Sequence, residues 1–258
     1  MDLDLAGKTV VITGGTKGIG FACAGAFLAE GARIGIVSRS QHNVDSACGE
    51  LPGVFGMTAD LSDEAEARRC MDTMERELGP IDVLVNSAGA ARRTPPDDLS
   101  PAAYRAAMDA KFHSYVNVID PVVKRMAERN SGVIVNVIGN GGKIASPVHV
   151  AGGAANAALM LVTAGLATAY ADRGVRVVAV NPGLTDTSRV AEGLQADARL
   201  ASISEAEARQ RSVARIPMGR LADPREIARV VVFLASGQAS YVTGVSITMD
   251  GAAAPIVV

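Results

Sequence analysis

The chain has 258 residues, and 25 Lys and Arg set against 27 Asp and Glu leave a formal net charge of −2. With 48% apolar and 20% charged residues it can bury a substantial core, which excludes intrinsic disorder. The near-neutral balance excludes a nucleic-acid binder held by phosphate contacts, and three cysteines without metal-like spacing exclude a disulfide framework and a structural zinc site.

Residues 1–7 hold two acids and no basic apolar leader, so no signal peptide is expected. No apolar run is read as long enough to span a membrane, and a cytoplasmic setting fits the cysteine usage. Short β-branched runs at 9–13, 33–37, 54–58, 83–86, 132–138, 176–181 and 245–248 predict seven strands. Longer stretches of helical period separate them. One covers 18–30 and stops at Gly31. Another covers 63–78, with Glu64 and Glu66 in its first turn and Gly79-Pro80 as terminator. Ser100-Pro101 opens a long helix to 129, a further helix covers 150–172, and Asp223-Pro224 opens another.

Strands alternating with helices imply right-handed crossovers and a parallel sheet covered on both faces. The expected fold class is therefore α/β: one doubly wound, seven-stranded, Rossmann-type domain over 1–258. The segment 185–220 has no strand character. It is expected to hold one or two short helices and to act as a lid over the sheet's carboxyl edge.

The first strand runs into Thr13-Gly14-Gly15-Thr16-Lys17-Gly18-Ile19-Gly20 and then a helix. Glycines there allow a tight turn and close backbone approach to a pyrophosphate at a helix N-terminus, whose free N–H groups favour anions. The spacing is G-x-x-x-G-x-G, and its position between strand and helix makes it a strong signal.

From this turn onward the sequence resembles the short-chain dehydrogenase/reductases of the compact single-domain kind, over its whole length. Asp60-Leu61 is similar to the family's adenine-contacting pair. Asn86-Ser87-Ala88-Gly89 resembles its Asn-Asn-Ala-Gly element, with Ser87 for the second Asn. Asn181-Pro182-Gly183 with Thr187 resembles the Pro-Gly motif near the nicotinamide. Asp223-Pro224-Arg225-Glu226-Ile227-Ala228, Val242-Thr243-Gly244 and Asp250-Gly251 follow the family's C-terminal pattern. The resemblance implies a nicotinamide cofactor held by Gly14, Thr16, Lys17, Gly18, Ile19, Gly20, Ser38, Arg39, Asp60, Leu61, Asn86, Ala88, Gly89, Pro182, Gly183 and Thr187. It also implies a small-molecule substrate and a homo-oligomer, tetramer or dimer, paired through the helices 100–129 and 150–172. The small apolar tail 252–258 is a further candidate for burial against a neighbour. No nucleic-acid or membrane partner is expected. The second strand ends Val37-Ser38-Arg39-Ser40 with no acid to bond a ribose 2′-OH, and Lys17 lies in the glycine turn. Two cations without a carboxylate favour NADP(H) over NAD(H).

The family's chemistry uses a Tyr as proton donor, a Lys four residues later that lowers the Tyr pKa, a Ser that orients the carbonyl, and an Asn. No Tyr-x-x-x-Lys exists here: four residues after Tyr104, Tyr115, Tyr170 and Tyr241 stand Met108, Ile119, Gly174 and Val245. Alignment through the neighbouring motifs puts Gly139 at the Ser position, Gly152 at the Tyr, Asn156 at the Lys and Lys111 at the Asn. A roomier pocket is expected beside Gly139 and Gly152. Lys111 and His149 are the candidate proton donors. Asn136, Asn140 and Asn156 are candidate oxyanion donors. Lys143, Arg92 and Arg93 are candidate contacts for an anionic substrate. Three functions stay open: an oxidoreductase with an atypical proton source acting on a carbonyl or an activated C=C bond, a non-redox hydratase, isomerase or lyase, and a cofactor-binding sensor without turnover.

Overall fold

The computed structural model describes residues 2–89 and 93–256, so Arg92 and the last two residues of the tail lie outside the described residues. The chain runs β1 (Thr9–Thr13), α1 (Gly18–Ala29), β2 (Arg33–Ser38), α2 (Gln41–Glu50), β3 (Phe55–Thr58), α3 (Glu64–Leu78) and β4 (Val83–Asn86). It continues with α4 (Pro101–Ala107), α5 (Ser114–Glu128), β5 (Gly132–Val137), α6 (Val150–Tyr170), β6 (Val175–Pro182), α7 (Ser188–Ala201), α8 (Glu205–Val213), α9 (Pro224–Ala235) and β7 (Ser246–Met249).

All seven strands pair in parallel in the order β3-β2-β1-β4-β5-β6-β7. The order reverses between β1 and β4. In doubly wound sheets the crevice outside the carboxyl ends at such a reversal receives the ligand. Alternation along each strand splits the core in two. Val10, Ile12, Val135 and Val137 face Phe27 of α1 and Ile227 and Val231 of α9. Val11, Ile134 and Ile138 face Met71 and Met74 of α3, Tyr115 and Val118 of α5, and Leu159 of α6.

Local signals set most helix ends. Asp63 accepts from the Glu66 amide at 2.7 Å, and α3 stops at Gly79, where φ is +87°. Asp223 and Glu226 form a reciprocal capping box at α9.

Three expectations are corrected. The helix expected over 100–129 is interrupted by a π-turn at Met108–His113 between α4 and α5. The Ser114 hydroxyl satisfies carbonyls displaced there, donating to Ala110 O and Lys111 O at 3.1 Å each. The lid segment holds two helices, and α7 at 14 residues is not short. Finally, Val150–Arg173 is long and apolar enough to cross a membrane by length and composition, with mean hydropathy 1.6. Its Leu159, Thr163 and Ala167 are nevertheless buried against the sheet, and Thr163 is hydrogen-bonded to Asn136 of β5.

Candidate active site

The glycine turn has backbone where side chains would otherwise stand. Gly14 sits at φ +68°, and a Cβ on it would fall 2.7 Å from Ser87 O. A Cβ on Gly20 would fall 2.2 Å from Gly14 O. Gly18, at φ +54°, faces the Thr187 methyl, 3.1 Å from where its Cβ would be. The turn after β1 and the loop after β6 thus meet across a cradle that only backbone can line. Helices α2, α3, α4, α7, α8 and α9 are capped by Ser, Asp or Thr side chains. At α1 the N-cap Lys17 offers no side-chain cap, so first-turn N–H groups remain for an anion. These features fit a dinucleotide pyrophosphate.

At the outer end, Lys17 and Arg39 are both exposed and Ser38 is half-buried. The Asp60 carboxylate holds its own turn, accepting from the Ser62 amide at 3.0 Å and the Ser62 hydroxyl at 2.7 Å. Those bonds keep its pKa below the usual carboxylate range, with Arg39 adding a smaller pull. Leu61 packs its side chain into the core, while its carbonyl accepts from Asn117 Nδ2 at 3.0 Å.

A buried polar line crosses the sheet beneath the cradle. Thr13 Oγ1 donates to Asn86 Oδ1 at 3.3 Å, and Asn86 Nδ2 to Asn136 Oδ1 at 3.0 Å. Asn136 Nδ2 donates to Thr163 Oγ1 at 3.0 Å. Thr13 Oγ1 also accepts from the Ser87 and Ala88 amides, which fixes the loop after β4. Asn136 is therefore spent on the scaffold and is not free to meet an oxyanion.

Lys111 lies on the π-turn with its side chain buried. Its Nζ donates to Tyr115 Oη at 2.8 Å and Val137 O at 3.1 Å, and the Tyr115 hydroxyl donates to the same carbonyl at 2.6 Å. Burial pulls the Lys111 pKa down to about 7, and the Arg189 charge pushes the same way. Burial pushes the Tyr115 phenol up, so it stays protonated. The π-turn is pressed against the loop after β4: a Cβ on Gly89 would fall 1.8 Å from Ala110 O. Arg189, on the first turn of α7, donates to Gly89 O at 3.3 Å.

Gly139 follows β5 at φ +117°, ψ 152°, a conformation that side chains rarely adopt. Asn156 Nδ2 lies 3.5 Å from where its Cβ would be. His149 caps α6 without a side-chain bond, and its Nδ1 is buried and unpartnered among the described residues. Burial lowers its pKa, followed by the charges of Arg93 and Lys111. Beyond Gly139 the loop after β5 packs its backbone on the first turns of α6. A Cβ on Gly153 would fall 2.6 Å from Gly141 O, and one on Gly142 would fall 2.8 Å from Ala157 N.

Lys111, His149 and Asn156 thus border one region at the carboxyl ends of β4, β5 and β6. Asn140 turns away, donating through Nδ2 to Asp250 Oδ2 after β7. Lys143 reaches Thr248 Oγ1 at 3.4 Å, and Arg93 pairs with Asp197 of α7 at 2.8 Å. Two residues that sequence reasoning passed over stand in the site. Tyr115 follows Lys111 by four, the reverse of the searched Tyr-x-x-x-Lys order. Arg189 lies two residues beyond Thr187.

The enoyl-(acyl carrier protein) reductase family model matches residues 14–252. A 3alpha-hydroxysteroid dehydrogenase from Mediterraneibacter gnavus is 32% identical over 98% of this chain and 99% of its own. A 3-oxoacyl-(acyl-carrier-protein) reductase from Thermotoga maritima is 34% identical over 96% of this chain and 98% of its own. Among solved structures, a point variant of actinorhodin polyketide ketoreductase with NADPH superposes with a TM-score of 0.93. It is 27% identical and covers 96% of this chain and 98% of its own. With the cradle, the sheet order and relatives that match almost end to end, the chain belongs to the short-chain dehydrogenase/reductase family of nicotinamide-dependent oxidoreductases.

Proposed function

We propose that this chain is an NADP(H)-dependent oxidoreductase in which Lys111 supplies the proton, acting on a small carbonyl compound or an activated C=C bond. The observation that carries the reading is the buried Lys111 amine, held by Tyr115 Oη and Val137 O with no carboxylate beside it. An ammonium has three N–H groups, and two are engaged. The third can protonate a developing alkoxide oxygen, or the α-carbon of an enolate after reduction of a C=C bond. The neutral amine can take the proton back in the reverse direction. A pKa near neutrality suits that exchange. Gly139, Gly152 and Asn156 stand where the family's Ser, Tyr and Lys are expected, so no phenol at that position competes for the role.

Bound in the glycine cradle, the nicotinamide would accept or donate hydride. Gly14, Thr16, Gly18, Ile19 and Gly20 would hold the pyrophosphate. Asp60 and Leu61 would flank the adenine, and Ala88, Gly89, Pro182, Gly183 and Thr187 would line the nicotinamide end, with Asn86, buried between Thr13 and Asn136, holding the end of β4 beneath them. Ser38, Lys17 and Arg39 would meet a 2′-phosphate. Segment 185–220, carrying α7 and α8, would close over the substrate, with Arg93–Asp197 tying it to the loop after β4. The exposed line Val150, Ala154, Ala157 and Leu161 on α6 supports self-association. The free state of Cys23, Cys48 and Cys70 agrees with a reducing compartment such as the cytoplasm.

The test is NADPH oxidation by the purified protein across a panel of ketones, aldehydes, enones and thioesters, with Lys111→Met as control. Substrate-dependent oxidation that the variant loses while still binding NADPH is expected. Turnover without redox change, or turnover unaffected by Lys111→Met, would overturn the reading.

A further inference from the structure

Two further basic side chains, Arg189 and His149, stand close enough to Lys111 for their charges to interact with it. Arg189 reaches it from α7 by way of Gly89, since the guanidinium sits on Gly89 O and Gly89 is packed on Ala110. His149, the N-cap of α6, is within reach of the charges of Lys111 and Arg93. The carboxylates nearby are occupied or turned outward. Asp197 pairs with Arg93. Asp250 is bonded by Asn140 Nδ2 and by the amides of Ala252 and Ala254. Glu192, one turn along α7 from Arg189, is exposed; its charge favours the guanidinium, but it makes no hydrogen bond or salt bridge with it among the described residues.

A group of basic side chains is costly to bring together, because a charge on one raises the free energy of a charge on its neighbour. It is retained where an incoming anion completes it. Arg189 is suited to that task. Its side chain is solvent-exposed, its only hydrogen bond among the described residues is the 3.3 Å contact to Gly89 O, and its fork can take a carboxylate bidentately. Two further features point the same way. The N-terminus of α6, a helix of 21 residues, lacks a side-chain cap where it meets this cleft. His149 Nδ1 is buried there without a partner among the described residues.

We infer that the cleft between Arg189, Lys111 and His149 receives a substrate bearing a carboxylate beside its reacting carbon, with Arg189 as the reader of that carboxylate. The substrate class is then a small 2-oxo acid or α,β-unsaturated acid. Binding needs no covalent step. Arg189 holds the carboxylate and leaves the adjacent carbonyl or C=C bond to Lys111. The inference rests on the oxidoreductase reading for what happens next, but its test does not.

Equilibrium binding of 2-oxobutanoate and crotonate is measured by calorimetry against their neutral counterparts 2-butanone and crotonamide, with and without NADPH. The expected result is at least about ten-fold tighter binding of each acid than of its neutral partner. Arg189→Met is expected to lose that preference and Arg189→Lys to keep part of it, both with circular dichroism like the parent. NADPH affinity should change less than about two-fold in either variant. Equal binding of acid and neutral probe overturns the inference, and so does an acid preference that survives Arg189→Met. An NADPH loss in Arg189→Met as large as the loss for the acids would assign Arg189 to the cofactor instead, which also overturns it. The oxidoreductase reading fails separately, by absence of NADPH oxidation.

Discussion

Lys111 Nζ and Tyr115 Oη meet at 2.8 Å one helical turn apart, and both converge on the single carbonyl of Val137. The geometry follows from the π-turn at Met108–His113, which carries the lysine immediately ahead of α5. A lysine so placed titrates in the working range. Reduction needs the ammonium, so its rate should fall as pH rises through about 7, while oxidation should rise over the same interval. Lys111→Met should flatten both profiles and lower kcat by about 10²–10⁴-fold. The pH dependence of kcat in the two directions checks this, and a profile unchanged in the variant would remove Lys111 from the chemistry.

The same titration is written into stability. Lys111 has a pKa of about 7 in the folded chain against 10.5 ordinarily, so between those values the unfolded chain binds more protons. Stability should therefore rise with pH across that window, by at most about 1.4 kcal/mol per pH unit from this one group. Lys111→Met should lose that slope and gain stability relative to the parent at pH 6. Urea unfolding at a series of pH values measures the difference, and parallel curves would show that the amine is not desolvated.

Tyr115 is a positioning residue. Tyr115→Phe keeps the ring in the core but removes the hydroxyl that receives Lys111 and donates to Val137 O. The loss should cost about 1–3 kcal/mol. It should lower kcat more than it raises KM, and it should shift the pH midpoint of kcat, which loss of packing alone would not move. Thermal unfolding and the kcat profile together separate the two roles.

Much of this was legible in the sequence. The short β-branched runs match the observed strands to within a residue or two, because buried parallel strands are continuous β-branched runs. The cradle was legible because Gly14, Gly18 and Gly20 stand where backbone packs against backbone. The π-turn was not, since the backbone it packs against, at Gly89, comes from another part of the chain that no local periodicity encodes. Asn136 and Asn140 were read as possible oxyanion donors from residue type alone. Their partners, Thr163 and Asp250, are 27 and 110 residues away in the chain. Tyr115 escapes a motif reading for a simpler reason: the family's order is Tyr-x-x-x-Lys, and here the lysine comes first.

Gly139 bears on whether the family's usual residue can be put back. At φ +117° an L side chain is strained whatever the space around it. Gly139→Ser should therefore lose about 1–3 kcal/mol of stability and gain no activity. Gly139→Ser combined with Gly152→Tyr and Asn156→Lys should likewise fail to recover turnover when Lys111 is Met. Chemical denaturation and NADPH oxidation measure the two halves, and a stable, active triple-substituted variant would show that the loop can relax into an ordinary conformation.

The proposed preference for NADP(H) rests on two exposed cations with no acid at the end of β2. The Asp60 carboxylate feels the Arg39 charge, but Ser62 already holds it, so it does not take the ribose hydroxyls by default. Lys17 at the N-cap of α1 and Arg39 after β2 are therefore free to grip a 2′-phosphate, Arg39 bidentately. Substituting both by Ala should weaken NADPH by about 10–100-fold, roughly the loss of two charge-assisted contacts at an exposed site, and leave NADH within about two-fold. Calorimetry reads both nucleotides. NADPH fluorescence gives a second readout that indole quenching cannot, since the chain has no Trp. The loss should shrink as salt is raised, because exposed charges are screened over about 10 Å at 0.1 M. If the double variant weakened both nucleotides alike, these cations would be serving the pyrophosphate or the fold, and the basis for NADP(H) over NAD(H) would be gone.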